Sequence, residues 1–121
     1  MNFRRLAHTV LTLGVLSMAL IFNACKKEEE IGPAPVITPG SVLTGVAGSV
    51  AKITATINAP EGLQTLTVLK NGQAFDSKVY TAGQTAESYT KDYTVENLPV
   101  GASVVFTFQA TDTKNQTSTV A

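Results

Sequence analysis

The chain has 121 residues, and its nine basic and nine acidic side chains give a formal net charge of zero. From Cys25 onward there are seven lysines, no arginine and nine acidic residues, a net charge of 7 − 9 = −2, and no basic patch argues for nucleic-acid binding. A single cysteine excludes an internal disulfide. The length leaves about ninety residues for one small domain.

The first 24 residues have the three-part layout of a secretory signal peptide. Arg4 and Arg5 form a basic start, an uncharged apolar stretch runs from 10 to 22, and Ala24 ends it with a small residue. Because a membrane-spanning helix needs roughly 20 apolar residues, removal of residues 1–24 is preferred to an uncleaved anchor. His8 lies in the removed segment, so neither catalysis nor metal binding is expected of it.

Cys25 follows this segment directly, in the stretch FNAC. The stretch resembles the lipobox of bacterial lipoproteins, in which a small residue precedes a cysteine that receives a diacylglycerol and becomes the first residue. Phe22 and Asn23 depart from the residues that the family more often has at those positions. The resemblance implies that Cys25 is lipidated and that the protein contacts a membrane through this lipid. The alternative is a plain signal peptide with an unrelated cysteine nearby.

The five residues after the cysteine read KKEEE. They resemble the surface-export signal of Bacteroidetes-type lipoproteins, which implies a lipid anchor in the outer membrane of a Gram-negative cell and exposure on the cell surface. The alternative is a solvated tether that its own charges keep disordered. The export residues implied by the resemblance are Lys26, Lys27, Glu28, Glu29 and Glu30.

Three prolines follow the charged block, at positions 33, 35 and 39. They favour an extended backbone, so residues 25–35 are predicted to form a flexible tether. Fully stretched, residues 26–35 would span at most about 35 Å. The folded domain is therefore expected to occupy 36–121.

Apolar residues in this domain alternate with a period of two, which predicts half-buried strands. The pattern is clearest at 50–58 and at 103–112. Asn71-Gly72 lies between two strand-like runs and predicts a hairpin with a type I′ turn. A turn is expected at 113–116, before a last strand at 116–121. The residues predicted to face the core in the two clearest strands are Ala51, Ile53, Ala55, Ile57, Val104, Phe106, Phe108 and Ala110.

Six or seven short strands with regular turn signals favour a single antiparallel β-sandwich. The stretch YTVENLPVGASVVFTFQATDTKNQTST resembles the late strands of fibronectin type III and related immunoglobulin-like domains, through its Leu-Pro-x-Gly corner and the alternating strand that ends in Ala-x-Asp. The resemblance covers about the last third of the chain. It implies an immunoglobulin-like sandwich without the usual buried tryptophan or disulfide. A β-barrel is the alternative, and a short last strand or a chain that continues past Ala121 both stay open.

The sequence after Cys25 contains no pattern of catalytic residues. It has no histidine and no second cysteine, and its acidic residues downstream of the tether are scattered singly. Acidic residues at strand ends are better interpreted as solubilising turn residues than as calcium ligands. We therefore expect no enzymatic activity, no cofactor and no metal site.

Two non-catalytic functions are compatible with these expectations. In the first, the lipoprotein displays a recognition or spacer domain to an unknown surface protein, which could include an obligate complex. In the second, it binds a glycan as an accessory to polysaccharide capture, which requires exposed aromatic rings. Alternation assigns Tyr89 and Tyr93 to the core and places Phe75 and Tyr80 on opposite faces of their strand. Phe75 and Tyr80 are therefore the candidate ligand-binding rings, although packing in the core is the preferred interpretation for Phe75.

Overall fold

The structure, a computed structural model, describes residues 30–121 and consists of β-strands and loops over that range. Every strand pairing is antiparallel. The all-β prediction is confirmed. The part of the chain from 30 onward has no helix that could cross a membrane. The strands are β1 (Val36–Pro39), β2 (Val50–Lys70), β3 (Gln73–Thr94), β4 (Phe106–Asp112) and β5 (Thr117–Val120).

β2 and β3 form one long hairpin around the predicted Asn71-Gly72 turn. The turn residues have φ angles of 48° and 80°, the positive values that a type I′ turn requires. The first half of β2 pairs with β1 and with the second half of β3. The second half of β2 pairs with the first half of β3 and with β4, which in turn pairs with β5. Instead of the expected six or seven short strands, the structure has five continuous strands. Two of them, β2 and β3, each consist of two halves that lie in different parts of the sheet.

The hairpin doubles back on itself. Phe75 and Tyr93 belong to the same strand and would be about 60 Å apart if β3 were straight, yet their ring centroids are 6.2 Å apart. Tyr89 likewise meets Phe108 on β4 at 5.8 Å, although its half of β3 is not paired with β4. The two halves of the curled sheet therefore face each other, which is consistent with the predicted β-sandwich.

The core lies between these facing halves and is built by the predicted alternation. Ala55 and Ile57 on β2 and Phe108 and Ala110 on β4 are all at most 3% exposed. Each fully buried Leu, Val, Ile or Phe side chain contributes roughly 1.5–3 kcal/mol through the hydrophobic effect. Within residues 30–121, the buried core cluster comprises Ile37, Ala55, Ile57, Ala59, Leu63, Leu66, Val68, Tyr89, Phe108 and Ala110.

The compact unit begins at Ile31, five residues before the predicted boundary at 36. Pro35 is buried, and the backbone of residues 32–35 is bonded to side chains far away in sequence. Prolines and glycines indicated a loop, but composition does not show whether a loop packs against a domain. The hydrogen bonds are Gly32 N–H to Glu61 Oε1 (2.7 Å), Gln116 Nε2 to Gly32 O (3.0 Å) and Ser118 Oγ to Pro35 O (2.5 Å).

Candidate functional site

The strand register places the loops at two opposite ends of the domain. Segment 31–35, the bends of β2 and β3 and the β4–β5 turn lie at one end, which we call the attachment end. The β1–β2 loop, the Asn71-Gly72 turn and the β3–β4 loop lie at the other end. The eight residues from 63 to 70 connect the two ends, so the ends are about 25 Å apart.

The loops at the far end expose apolar side chains. We call residues 40–51 and 97–105 the apolar tip. Val100 and Val42 are fully solvent-exposed, at 107% and 97%. Seven of the ten exposed large hydrophobic residues in the described range belong to this tip, although exposed apolar groups usually occur singly. The seven are Val42, Leu43, Val46, Val50, Leu98, Val100 and Val105.

The first tip loop is held in place at the end of β3. Gly48 N–H donates to the Val95 carbonyl, and Val95 N–H donates to the Ser49 carbonyl, both at 2.8 Å. Ser49 also closes a turn by donating its backbone N–H to the Val46 carbonyl at 2.9 Å. A Cβ on Gly45 would lie 2.7 Å from Val95 Cγ2, so the loop backbone packs directly on that side chain. The loop has a defined conformation while its valines face solvent.

The second tip loop is also structured by hydrogen bonds. Ala102 N–H donates to the Pro99 carbonyl at 3.0 Å, and Gly101 has a φ of 86°, which is typical of a type II turn with Val100 at its corner. Where the loop enters β4, Val105 N–H donates to Asn71 Oδ1 at 2.9 Å and the Val105 carbonyl accepts from Asn71 N–H at 2.8 Å. The fully exposed Val100 is therefore presented on a constrained turn.

The apolar tip carries no ionisable side chain, and ion pairs flank it. Neither 40–51 nor 97–105 contains Asp, Glu, Lys or Arg. Lys52 bonds Asp92 at 2.9 Å, and Lys70 bonds Glu96. The hydrogen bond to Glu96 raises the pKa of Lys70. The end of the domain therefore has an uncharged apolar centre with mixed charges at its rim, an arrangement that known protein interfaces also have.

The two candidate ligand-binding rings both pack against the core. Phe75 contacts Phe106 edge-on at 5.1 Å. Tyr80 is half-buried, with Lys78 Nζ 5.6 Å from its ring centroid. The prediction that they lie on opposite faces is wrong, because a register shift at Val68 inserts Phe75 as an extra residue in β3 and interrupts the alternation. Both rings are partly buried, whereas a sugar-stacking platform needs an exposed ring.

A polar cluster joins the two halves of β3. Tyr89 Oη donates to Asp76 Oδ2 at 3.0 Å, and Lys78 Nζ lies 3.6 Å from Glu87 Oε2. Burial, followed by the neighbouring Asp76 carboxylate, raises the pKa of Tyr89. Burial, followed by the nearby Glu87, raises the pKa of Tyr80, whose buried hydroxyl has no hydrogen-bond partner within residues 30–121. These interactions bridge the facing layers, and no group of three or more His, Cys, Asp or Glu side chains in residues 30–121 could hold a metal ion.

The predicted lipidation and export residues lie mostly outside the described residues. This applies to the signal segment 1–24, to Cys25 and to residues 26–29, whereas Glu30 is the first described residue and is exposed. Sequence reasoning missed the apolar tip, because it made no prediction for 40–49 and placed Val50 and Val105 within strands. The available signal was the absence of charge from two long loops.

No protein-family model matches the chain, and no curated protein or solved structure matches it significantly.

Proposed function

We propose that the protein is a lipoprotein anchored in the outer membrane through Cys25, and that it displays a non-catalytic immunoglobulin-like domain on the cell surface for recognition of another protein. The observation that supports this proposal is that two features lie at opposite ends of the domain. The N-terminal segment leaves the domain at the attachment end, and the exposed apolar loops lie at the other end. Such a domain presents its interface away from the point of attachment.

The length of chain before the domain limits its distance from the membrane. The compact unit begins at Ile31, six positions after Cys25, and six Cα–Cα steps can span at most about 21 Å. This is shorter than the tether predicted from residues 26–35, because 32–35 is bonded to the domain. A lipid on Cys25 would thus hold the attachment end near the bilayer and leave the apolar tip about 25 Å further out.

The immunoglobulin-like assignment is supported by the strand pairing. β2 and β3 each contribute to both facing layers, and β4 and β5 complete one of them. In such sandwiches, loops cluster at the two ends and are free to vary for binding. Protein recognition is favoured over glycan binding because the exposed tip is aliphatic and uncharged, whereas Phe75 and Tyr80 are packed against the core.

To test the anchor, the chain is produced in a Bacteroidetes host, and the cells are labelled with an alkyne fatty acid. We expect the wild-type protein to take up the label and to be degraded when intact cells are treated with proteinase K. Cys25→Ser should abolish labelling and release the protein from membranes. Replacement of residues 26–30 by alanine should preserve labelling but protect the protein from the protease.

Two results would contradict the proposal. An intact mass without acyl chains would show that Cys25 is not the anchor. A labelled wild-type protein that resists proteinase K on intact cells, but not on permeabilised cells, would place the domain on the periplasmic side. The alanine replacement serves as the matched control, because it retains Cys25 and the whole compact unit.

A further inference from the structure

We infer that the apolar tip binds the tip of a second copy of this chain, so that two domains pair end to end. This names the protein partner in the proposed function. It rests on that function only for its consequence at membranes, since the pairing itself needs neither Cys25 nor a lipid. The tip is suited to pairing by its size, its lack of charge and its ordered loops.

The size of the tip matches one side of a specific protein interface. It comprises 12 residues in 40–51 and 9 residues in 97–105, 21 in all, without an ionisable side chain. Specific interfaces use roughly 20–30 residues on each side, with charged residues depleted at the centre. Seven large apolar side chains supply that centre, and the two most exposed, Val42 and Val100, come from different loops.

The charge distribution is complementary to itself. Residues 31–121 contain five lysines and six acidic residues, a net charge of 5 − 6 = −1, so two copies repel each other only slightly. The tips themselves are neutral. Each rim pair, Lys52 with Asp92 and Lys70 with Glu96, contains one charge of each sign. A two-fold axis can therefore set a lysine of one copy beside an acidic residue of the other.

The same charge distribution disfavours other partners. A partner with a charged patch would have to desolvate its charges against a surface that holds no counter-charge. An anionic membrane surface is bound through clustered basic side chains, and the apolar tip contains none. A neutral aliphatic surface is the matching occupant, and an identical tip provides one.

The hydrogen bonds in both tip loops lower the entropic cost of pairing. The first loop is fixed by Val95 and Ser49, and the second by Asn71 and the turn from Pro99 to Ala102. Since the apolar side chains already project from ordered turns, little further ordering of the backbone is needed on association. Because the loops are ordered, their apolar side chains stay in contact with water in the monomer, and pairing removes this unfavourable exposure.

End-to-end pairing has a geometric consequence. The attachment ends lie on the outer sides of the pair, about 50 Å apart, because each domain contributes about 25 Å between its ends. If Cys25 carries the anchor, copies in two facing membranes can pair in this way, and the tip would then act as a self-adhesion surface.

The pairing is tested in solution with residues 26–121, which include the whole compact unit and omit Cys25. Sedimentation equilibrium from about 1 μM to about 1 mM should show a reversible monomer–dimer equilibrium. Val42→Asp and Val100→Asp should each raise the dissociation constant roughly tenfold or more, because each buries an unpaired carboxylate. The matched control is Val79→Asp: Val79 is 74% exposed but lies on β3 opposite Thr65, outside the tip, and its replacement should leave the constant unchanged.

Three outcomes would overturn the inference. One is a monomer over the whole concentration range. Another is a dimer that Val79→Asp weakens as much as Val100→Asp does, since the contact would then lie elsewhere. The third is a monomer that co-sediments with phosphatidylcholine–phosphatidylglycerol vesicles unless Val100 is replaced, which would make the occupant a lipid surface. Circular dichroism of each variant confirms the fold. Because Cys25 is absent from the experiment, failure of the anchor leaves these results unaffected.

Discussion

Asp112 has no solvent exposure, and its carboxylate organises the turn between β4 and β5. Its Oδ1 accepts hydrogen bonds from the backbone N–H groups of Lys114 and Gln116, and its Oδ2 accepts one from Gln116 Nε2, each at 2.9 Å. Gln116 Nε2 also reaches the Gly32 carbonyl. A carboxylate can be buried here because several donors replace the water it loses.

Asp112→Ala should lower the free energy of unfolding by about 3 kcal/mol, because it leaves donors in the turn without their acceptor. Urea denaturation measures this change. The control is Asp92→Ala, which removes an acidic residue from an exposed pair with Lys52 and should cost less than about 1 kcal/mol. Equal losses for the two variants would contradict the structural role assigned to Asp112.

Two buried tyrosines differ in what their hydroxyl groups contact. Tyr89 and Tyr93 are 2% and 8% exposed and lie on the same face of β3. The Tyr89 hydroxyl donates to Asp76, whereas the buried Tyr93 hydroxyl has no hydrogen-bond partner among residues 30–121. A buried hydroxyl without a partner costs desolvation energy and returns none, so the two hydroxyls have opposite effects on stability.

Tyr89→Phe should destabilise the domain by about 1–2 kcal/mol, because the charged Asp76 loses a hydrogen bond. Tyr93→Phe should leave the unfolding free energy unchanged or raise it by up to about 1 kcal/mol, because the ring contacts with Phe75 and Phe106 are retained. Thermal or urea unfolding of the two variants measures both changes in unfolding free energy. A loss for Tyr93→Phe as large as that for Tyr89→Phe would show that its hydroxyl is satisfied after all.

The bent β2–β3 hairpin depends on two glycines where the strands double back. Gly62 has a φ of 91° and Gly83 a φ of 62°, in the left-handed region that L side chains rarely adopt. The two backbones also approach closely, since a Cβ on Gly62 would lie 3.0 Å from the Gly83 carbonyl oxygen. The bend therefore requires glycine at position 62 for both conformation and space, and at position 83 for conformation alone.

Gly62→Ala should cost about 3 kcal/mol or more, because it adds a contact with the Gly83 backbone to the strain of a positive φ. Gly72→Ala is the matched comparison: its φ is 80°, but no heavy atom lies within 4 Å of the added Cβ, so only strain of about 1–2 kcal/mol is expected. Denaturant titration of both variants tests the ranking. The reverse order would mean that the bend can relax.

The attachment end and the apolar tip are properties of the whole domain. Residues 32–35 are bonded to Glu61, Gln116 and Ser118, which come from three different elements of the chain. These contacts determine where the chain leaves the domain, and therefore which loops face away from it. The orientation of the proposed surface display follows from this packing.

Removal of residues 26–30 should change the free energy of unfolding by less than about 0.5 kcal/mol, because they precede the compact unit. Removal of 26–35 should lower it by about 2–3 kcal/mol, since it deletes three hydrogen bonds and the buried Pro35. Urea unfolding compares the two deletions. If both are neutral, the segment belongs to the tether that the sequence predicted.

Local patterns in the sequence determined much of this protein. Alternation predicted the strand at 50–58, and it predicted a strand at 103–112 that the structure begins only at Phe106, because residues 103–105 belong to the β3–β4 loop. Asn71-Gly72 predicted the turn. Side-chain period and backbone dihedral preference are properties of neighbouring residues. The all-β class followed from the same signals. The proposals for Cys25 and residues 26–30 also rest on sequence alone, as these positions lie outside the described residues apart from Glu30.

Only the tertiary structure decided how those strands are arranged. Phe75 and Tyr80 both pack against the core because a register shift interrupts alternation, and residues 32–35 belong to the domain because distant side chains bind their backbone. The apolar tip exists because the curled sheet brings 40–51 and 97–105 to one end. Each of these features depends on contacts between residues tens of positions apart, and a pattern that compares only near neighbours contains no information about them.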